Sequence, residues 1–299
     1  MTDFKQSVAT NRASLTSDDW LTGFYDTTGG GAYESTKVPF STLTALIASY
    51  SSLPPGYIYG LTLSNGTDAT NDIDIATGTC IDSTNAVSLV LGSILTKRLD
   101  ASWAVGTNQG GLDTGSVADT TYHIWLIKRS DTGVVDALFS TSASSPTMPA
   151  NYDYKRLIGS FVRVSGVNQQ IVNDGDYFML KTPVLDVAVT NPGTSAVTNT
   201  LASVPTGRRL RAKINVIITT STGGNDLVYI SDLSLTDSAP SPTAAPLAQL
   251  FVPSISSAGA TTMDVFTNTS SQIRSRCGYG AGGNVLRIVT LGWIDTRGR

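Results

Sequence analysis

Apolar and polar residues alternate with a period of two along most of the chain from Tyr57 onward. The first such run, 57–64, is followed by Asn65-Gly66, a pair that favours a tight turn between strands. The segment 121–128 and the turn at 130–133 predict a hairpin with 134–140. Together these runs predict a middle β domain over residues 56–182, with further strands at 72–76, 79–82, 86–91, 94–98, 155–164 and 177–180.

A second set of alternating segments begins after Lys181-Thr182-Pro183. Eight short strands separated by turns are typical of a β-sandwich or jelly roll. We therefore predict a C-terminal β-sandwich domain over 183–299, with a domain boundary near 182. The chain shows no fixed-period repeat of the kind that builds β-helices or propellers. The eight strands are expected at 184–189, 196–202, 209–219, 227–232, 248–252, 262–267, 271–276 and 285–293.

The first 55 residues follow a different pattern. An extended polar stretch with a turn at Gly29-Gly30-Gly31 precedes Ser41, which is suited to cap a helix over residues 42–52. Pro54 and Pro55 then end the helix. One short amphipathic helix cannot bury a core by itself. We therefore predict that 1–55 is an N-terminal anchor or oligomerisation segment, whose helix presents one apolar face made of Leu43, Leu46, Ile47 and Tyr50.

The composition supports an all-β chain of two domains. Charged residues make up 14% of the 299 positions, against about 25% in an average globular protein, so Ser, Thr and Asn must cover much of the surface. Glu34 is the single glutamate, and there are 28 glycines, a combination that disfavours helix. A net charge of −3 argues against a nucleic-acid-binding protein. The densest basic run, Arg208 to Lys213, alternates with apolar residues and predicts the solvent face of a strand.

Neither cysteines nor long apolar stretches point to a special compartment. Cys80 and Cys277 lie far apart and lack zinc-ligand spacing, so we expect free, buried thiols. The polar N-terminus has no apolar signal region, and no run approaches the roughly 20 apolar residues of a membrane span. The expectation is a soluble protein made in the cytoplasm without a secretion signal.

Residue patterns for catalysis are weak. His123 is the single histidine and lies inside a predicted strand, which favours a packing role over a catalytic base. No GxSxG serine motif and no phosphate-binding P-loop occurs. Residues 278–283 satisfy GxGxxG, but strand-like sequence follows them where a dinucleotide site requires a helix. A glycine-rich loop between antiparallel strands is therefore predicted.

Two acidic groups could in principle serve a glycosidase or a calcium site. Asp72 and Asp74 share one face of a predicted strand, and Asp174-Gly175-Asp176 resembles a turn. Neither continues into an EF-hand loop. Solvated acids are the simpler interpretation, with a structural calcium ion as the alternative. We predict no enzyme activity and assign no catalytic, cofactor-binding or metal-binding residue; the ligand-binding residues remain unassigned.

Several segments resemble tail and fibre proteins of tailed bacteriophages and prophages. The C-terminal strand 291–295 is similar to the final strand of such proteins, and 19–23 with 37–43 resembles their attachment regions. The resemblance covers about half of the chain and attaches to strands and turns, so it transfers no functional residue. Its central part comprises 122–129, 131–133, 135–142, 145–149, 152–156 and 158–160.

The resemblance implies a structural virion protein: a fibre or spike, assembled in the host cytoplasm and attached through residues 1–55 to other virion proteins. It also implies a homotrimer whose C-terminal domain binds a host surface glycan or protein, without nucleic-acid binding or membrane insertion. Three alternatives remain open. They are a head, neck or baseplate fibre or decoration protein, a polysaccharide-degrading tailspike acting through Asp pairs, and a non-viral carbohydrate-binding or adhesin module.

Overall fold

A computed structural model describes residues 20–26, 33–39, 53–221, 226–254 and 256–298, giving only the backbone of the first two ranges. These residues form strands, turns and loops, and none of them is helical, which confirms the all-β prediction. The predicted helix over 42–52 lies outside the described residues. No helix in the described ranges is long and apolar enough to cross a membrane.

The chain divides into two compact units, Met1–Leu53 and Pro54–Arg299. In the first unit, β1 (Trp20–Asp26) pairs antiparallel with β2 (Tyr33–Pro39). The division falls close to the predicted boundary after residue 55.

The first half of the second unit builds a wide mixed sheet and a small one. The small antiparallel sheet has the order β3-β6-β7, and the wide sheet runs β13-β12-β10-β11-β9-β8-β5-β4-β14 before it continues into the C-terminal half. The predicted hairpin is confirmed as β10 paired with β11. The strands are β3 (Ile58–Gly60), β4 (Leu63–Asn65), β5 (Asp72–Ile75), β6 (Gly78–Ile81), β7 (Ser88–Leu91), β8 (Leu95–Ser102), β9 (Gln109–Leu112), β10 (Thr121–Arg129), β11 (Val135–Ser140), β12 (Tyr152–Val164), β13 (Val167–Asn168) and β14 (Ile171–Asp174).

The C-terminal half is an eight-stranded jelly roll. One sheet has the order β15-β22-β17-β20 and the other β16-β21-β18-β19. If these strands are lettered B to I in chain order, the sheets read B-I-D-G and C-H-E-F, the arrangement produced by two Greek keys. All eight predicted strands are present, as β15 (Tyr177–Thr190), β16 (Val197–Thr200), β17 (Arg211–Thr219), β18 (Asp226–Ser231), β19 (Leu250–Val252), β20 (Ala258–Phe266), β21 (Gln272–Cys277) and β22 (Val285–Ile294).

The predicted boundary near 182 falls inside β15. The N-terminal end of this strand pairs with β14, and both of its ends pair with β22, with a register shift between Met179 and Val184. Lys181-Thr182-Pro183, after which the second set of strands was predicted to begin, therefore forms an irregular section of one long strand. The sheet order makes β15 a member of both halves.

A continuous apolar core extends through both halves of this unit. Buried side chains of the first half, such as Phe161, belong to one cluster with jelly-roll residues such as Ile214. At the junction, Phe178 of β15 stacks on Trp293 of β22 with ring centroids 5.8 Å apart and planes 2° from parallel. Both rings are fully buried. The two halves therefore share packing as well as a strand.

One predicted strand, 57–64, is interrupted. Gly60 and Leu61 have φ values of 65° and 53°, so the chain turns and forms β3 and β4 as separate short strands in different sheets. A Cβ at Gly60 would lie 2.4 Å from the carbonyl oxygen of Thr77, which a side chain could not tolerate. The turn also changes which residues face the core on its two sides. Before it, Ile58 is buried and Tyr59 is exposed, and after it Leu61 is buried.

Candidate functional site

His123 is a packed strand residue. It lies in β10, is 1% exposed, and its Nδ1 is 2.7 Å from Ser160 Oγ. A Cβ at Gly207 would lie 2.9 Å from His123 Nε2, so this loop covers the other side of the ring. Burial, with a smaller contribution from the charge of Arg208, lowers the pKa of His123 to about 4. The imidazole is therefore neutral at neutral pH and closed to a substrate.

The lowered pKa of His123 predicts acid sensitivity. The ordinary pKa of histidine is 6.5 and that of His123 in the folded chain is about 4. Between these two pH values, His123 is therefore protonated in the unfolded chain and neutral in the folded chain. Between pH 7 and pH 5 we expect a loss of about 2 kcal/mol in the free energy of unfolding, and the loss levels off below about pH 4. Urea denaturation across this range should show the slope in the native chain and a flatter profile in His123→Gln. Equal slopes would contradict this explanation.

The paired aspartates lie on β5 as predicted, on the opposite face from Ile73 and Ile75, which are buried. Asp74 Oδ1 accepts a hydrogen bond from Thr96 Oγ1 at 2.6 Å. Burial raises the pKa of Asp72. Within the described part of the chain, no group of three or more His, Cys, Asp or Glu is arranged to hold a metal ion.

The other predicted acidic pair lies in a turn. Gly175 has a φ of 56° and joins β14 to β15, with Asp174 opposite Tyr177. Asp176 faces the C-terminal residues, where its Oδ1 is 3.5 Å from Arg297 Nη2. Asp174 is thus an exposed turn residue, and Asp176 has a structural partner in the described chain.

The glycine-rich loop 278–283 binds a carboxylate of the protein itself. Asp226, which is 1% exposed, accepts hydrogen bonds from the backbone N–H groups of Tyr279 and Gly280, each at 3.0 Å, and from Asn284 Nδ2 at 2.8 Å. Its Oδ1 also accepts from the N–H of Leu227. The loop connects β21 with β22, which lie in different sheets and do not pair. Its backbone donors therefore hold an internal anion in place of a nucleotide phosphate.

Removal of this charge should loosen the loop. In Asp226→Asn, an amide nitrogen replaces one acceptor oxygen and faces N–H donors. Because hydrogen bonds to a charged group contribute about 1.5–3 kcal/mol each, we expect a loss of about 2–3 kcal/mol in the free energy of unfolding, measured by urea denaturation. The control Asp237→Asn breaks a partly exposed ion pair with Arg276 and should cost less than about 1 kcal/mol. A loss as small as that of the control would contradict this expectation, because the neutral amide would then serve the N–H donors as well as the carboxylate does.

Each cation of the basic run lies beside an acidic residue. Arg211 and Lys213 lie on the outer face of β17, as predicted, and both face Asp264. Arg208 pairs with the buried Asp295 at 3.0 Å. Arg209 pairs with Asp232. Each arginine that lines a cleft of about 270 Å³ thus already has an acidic partner within the chain.

Both cysteines are free and buried, which confirms the sequence prediction. Burial raises the pKa of each thiol, Cys80 and Cys277, to about 12. Such thiols are protonated at neutral pH and unsuited to act as nucleophiles.

An open groove of about 360 Å³ lies at the junction of the two halves, between the β12–β13 hairpin and the irregular section of β15. Its volume is within the range of small-ligand sites. Two buried polar atoms of its lining residues, Asn168 Nδ2 and Gln169 Oε1, have no hydrogen-bond partner in the described structure. We call this the junction groove. It is lined by Val164, Val167, Asn168, Gln169, Gln170, Leu180, Thr182 and Val184.

No sequence motif predicts the junction groove. Residues 167–170 fall between two predicted strands and carry no motif. The groove forms because β13 folds back on β12 next to a strand that arrives from the jelly roll. One available signal was the uncharged run Val167-Asn168-Gln169-Gln170.

Comparison with known proteins gives distant structural neighbours. No protein family matches the sequence, and no curated protein matches it. A Bacillus thuringiensis Cry1Da tryptic core variant is 11% identical with a TM-score of 0.20, and the match covers 91% of this chain and 57% of that chain. This chain thus spans little more than half the length of that neighbour.

Two further neighbours come from infectious bursal disease virus. The structure of the Gx strain is 14% identical with a TM-score of 0.15, covering 79% of this chain and 67% of that chain. The VP2 subviral particle is 9% identical with a TM-score of 0.14, covering 78% and 70%. TM-scores this low carry no argument about function.

Proposed function

We propose that this protein is a structural component of a tailed-bacteriophage virion. It is a fibre or spike that attaches through residues 1–55 and contacts the host surface with its C-terminal part. The observation that carries the proposal is the jelly roll, an architecture used by viral capsid and lectin domains. The sequence resemblance to phage tail and fibre proteins supports the same conclusion.

The surface chemistry supports the proposal. A chain with 14% charged residues and a net charge of −3 allows copies to stand close together with little mutual repulsion. Hydroxyl and amide side chains on exposed strands are also suited to hydrogen-bond with sugars. We accordingly propose a homotrimer that is located in the virion and has no enzymatic activity.

Binding of the purified full chain to bacterial cells tests the proposed function. A fluorescently labelled chain should bind a susceptible strain saturably, and an excess of unlabelled chain should slow adsorption of a phage that carries the protein. The chain should also be found in the density of that particle. A folded chain that occurs in the particle but binds no host cells would favour a head, neck or baseplate part. Absence from the particle would overturn the proposal.

The same preparation tests the enzyme alternative. If the protein is a tailspike, incubation with host polysaccharide should release oligosaccharides, and Asp72→Asn or Asp74→Asn should abolish that release. We expect no release from the native chain.

A further inference from the structure

We propose that the cleft of about 270 Å³ beside the basic run binds a neutral saccharide unit, which packs on Phe266 and accepts hydrogen bonds from Arg209 and Arg211. We call this the arginine cleft. Its volume lies close to the lower limit of small-ligand sites, which suits one sugar unit of a longer chain. The inference rests on the proposed function, since it names the ligand class and the place at which the jelly roll would contact the host.

The arginine cleft lies where three neighbouring strands of the jelly roll end. β17 begins at Arg211, β20 ends at Phe266 and β22 ends at Ile294. Arg211 is paired with Phe266 on one side and with Ile294 on the other. Side chains of directly paired residues lie on the same face of a sheet, so these three form one row. The row is on the outer face, because the next residue of β17, Ala212, is buried in the core.

The groups that would touch a ligand are open to solvent. Phe266 is 47% exposed, and the side chains of Arg209 and Arg211 are 54% and 45% exposed. Asp176, which also lines the cleft, has a side chain that is 32% exposed. A ligand in the cleft can therefore reach an aromatic ring, two guanidinium groups and a carboxylate.

Phe266 and Arg209 fix each other in place. The guanidinium carbon of Arg209 lies 4.9 Å from the centre of the Phe266 ring, within the range of a cation–π contact. Arg209 also forms an ion pair with Asp232. The exposed part of the ring offers apolar surface to the C–H groups of a sugar. Because these side chains are already held, a ligand that binds them loses less side-chain entropy on binding.

The two exposed arginines have N–H groups to spare. A guanidinium carries five N–H donors. Among the described contacts, Arg209 donates from Nη2 to Asp232, and Arg211 Nε lies 3.6 Å from Asp264 Oδ2, which is longer than a hydrogen bond. Hydroxyl groups on adjacent carbons of a sugar ring can accept from the remaining donors. Each hydroxyl can also donate, and the carboxylate of Asp176 is an acceptor in the same cleft.

The charge around the arginine cleft favours a neutral ligand. Each of its three arginines lies beside an acidic residue of the chain. An anionic ligand would compete with these carboxylates and would be repelled by Asp176, which lines the cleft. A neutral sugar uses both donors and acceptors without displacing any of these ion pairs.

Titration of the full chain with neutral sugars tests the inference. The probes are glucose, galactose, mannose, rhamnose and N-acetylglucosamine, each followed by the arginine Nε–H NMR signals of the ¹⁵N-labelled chain. We expect saturable shifts of the Arg209 and Arg211 signals with at least one sugar. Phe266→Ala removes the ring and should lower the affinity for that sugar at least tenfold.

Phe251→Ala is the matched control, because Phe251 is 48% exposed and lies on β19 in the other sheet of the jelly roll. It should bind like the native chain. Arg211→Met tests the donors and should lower the affinity at least fivefold. Its control is Arg287→Met on the same sheet, since Arg287 pairs with Ile217, six residues further along β17. Thermal melts of the four variants identify any that fail to fold.

The outcomes separate this inference from the proposed function. A folded native chain that binds none of the five sugars, equal affinity of Phe266→Ala, or tighter binding of glucuronic acid or inorganic phosphate would overturn the cleft assignment. If the native chain and Phe266→Ala adsorb equally to host cells, the cleft assignment fails and the proposed function stands. If a sugar binds in the cleft but the chain is absent from the virion, the proposed function fails and the cleft assignment stands.

Discussion

Lys97→Met is expected to lower the free energy of unfolding by about 3–5 kcal/mol, because it leaves a buried carboxylate without its partner. Lys97 Nζ lies 3.2 Å from Asp136 Oδ1, and the two side chains are 0% and 1% exposed. The ammonium also donates to Ala104 O at 2.6 Å and lies 5.5 Å from the centre of the Trp103 ring. Burial lowers the pKa of Lys97, while the charge of Asp136 opposes this effect.

Asp136 also binds the loop 103–106, which contains the Lys97 acceptor Ala104 O. Its Oδ2 accepts from the N–H of Gly106 at 2.7 Å and its Oδ1 from the N–H of Ala137 at 2.6 Å. Loss of the lysine should therefore loosen residues 103–106 as well as destabilise the fold. Urea denaturation measures the global effect, and hydrogen exchange at Gly106 measures the local one.

Lys213→Met is the matched control, because Lys213 and its partner Asp264 are both about one-third exposed. It should cost no more than about 1 kcal/mol. The double variant Lys97→Met, Asp136→Leu should recover part of the loss, since it removes the unpaired charge. Equal effects of the two lysine substitutions would show that the buried pair contributes no more than a surface pair.

Phe178→Ala should cost about 3–5 kcal/mol and destabilise both halves together. Phe178 packs on Trp293 of the jelly roll, and a Cβ at Gly159 of β12 would lie 3.1 Å from its ring. One side chain therefore contacts strands from both halves of the chain. The control Val172→Ala changes a 43% exposed residue on the adjacent β14 and should stay within about 0.5 kcal/mol of the native chain.

The expected observation for Phe178→Ala is a single unfolding transition at a lower urea concentration. Fluorescence of Trp293, near the mutation, and of Trp125, in the first half, should report the same midpoint once assigned by Trp→Phe variants. Two separate transitions would show that the halves unfold independently. A chain that starts at residue 183 lacks Phe178 altogether and should fail to fold.

The eight jelly-roll strands were predictable because each buries alternate residues against one core. In β17, Ala212, Ile214, Val216 and Ile218 are buried and the intervening residues face outward. This local pattern fixes a strand and its inward face. It cannot fix which strands become neighbours, since pairs such as β15 with β22 join residues about a hundred positions apart.

The errors have local physical causes. The interruption after Gly60 depends on positive φ angles at Gly60 and Leu61, and leucine gives no sequence signal for such a conformation. The boundary was placed near residue 182 because the alternation pauses there, whereas Pro183 lies in β15 where this strand and β22 change register and its missing N–H costs little. The short strand β9, parallel to both β8 and β11, was missed because Gln109-Gly110-Gly111-Leu112 has no alternation.

The candidate site could not be predicted for a related reason. His123, Asp74 and the glycine loop stood out as residue types, and the structure gives each of them a partner within the chain. The junction groove depends on Asn168 and on Arg163, whose guanidinium is held by residues about 92 positions earlier. Such a site arises from tertiary contacts that no local motif encodes.

The continuity of β15 has a mechanical consequence. Because one hydrogen-bonded strand of 14 residues runs through both halves, there is no flexible connection at which they could swivel. A pull along the chain would load the pairing of β15 with β22 in shear, where many hydrogen bonds must break together. A force applied at one end of this unit would therefore pass to its other end with little bending at the junction of the two halves.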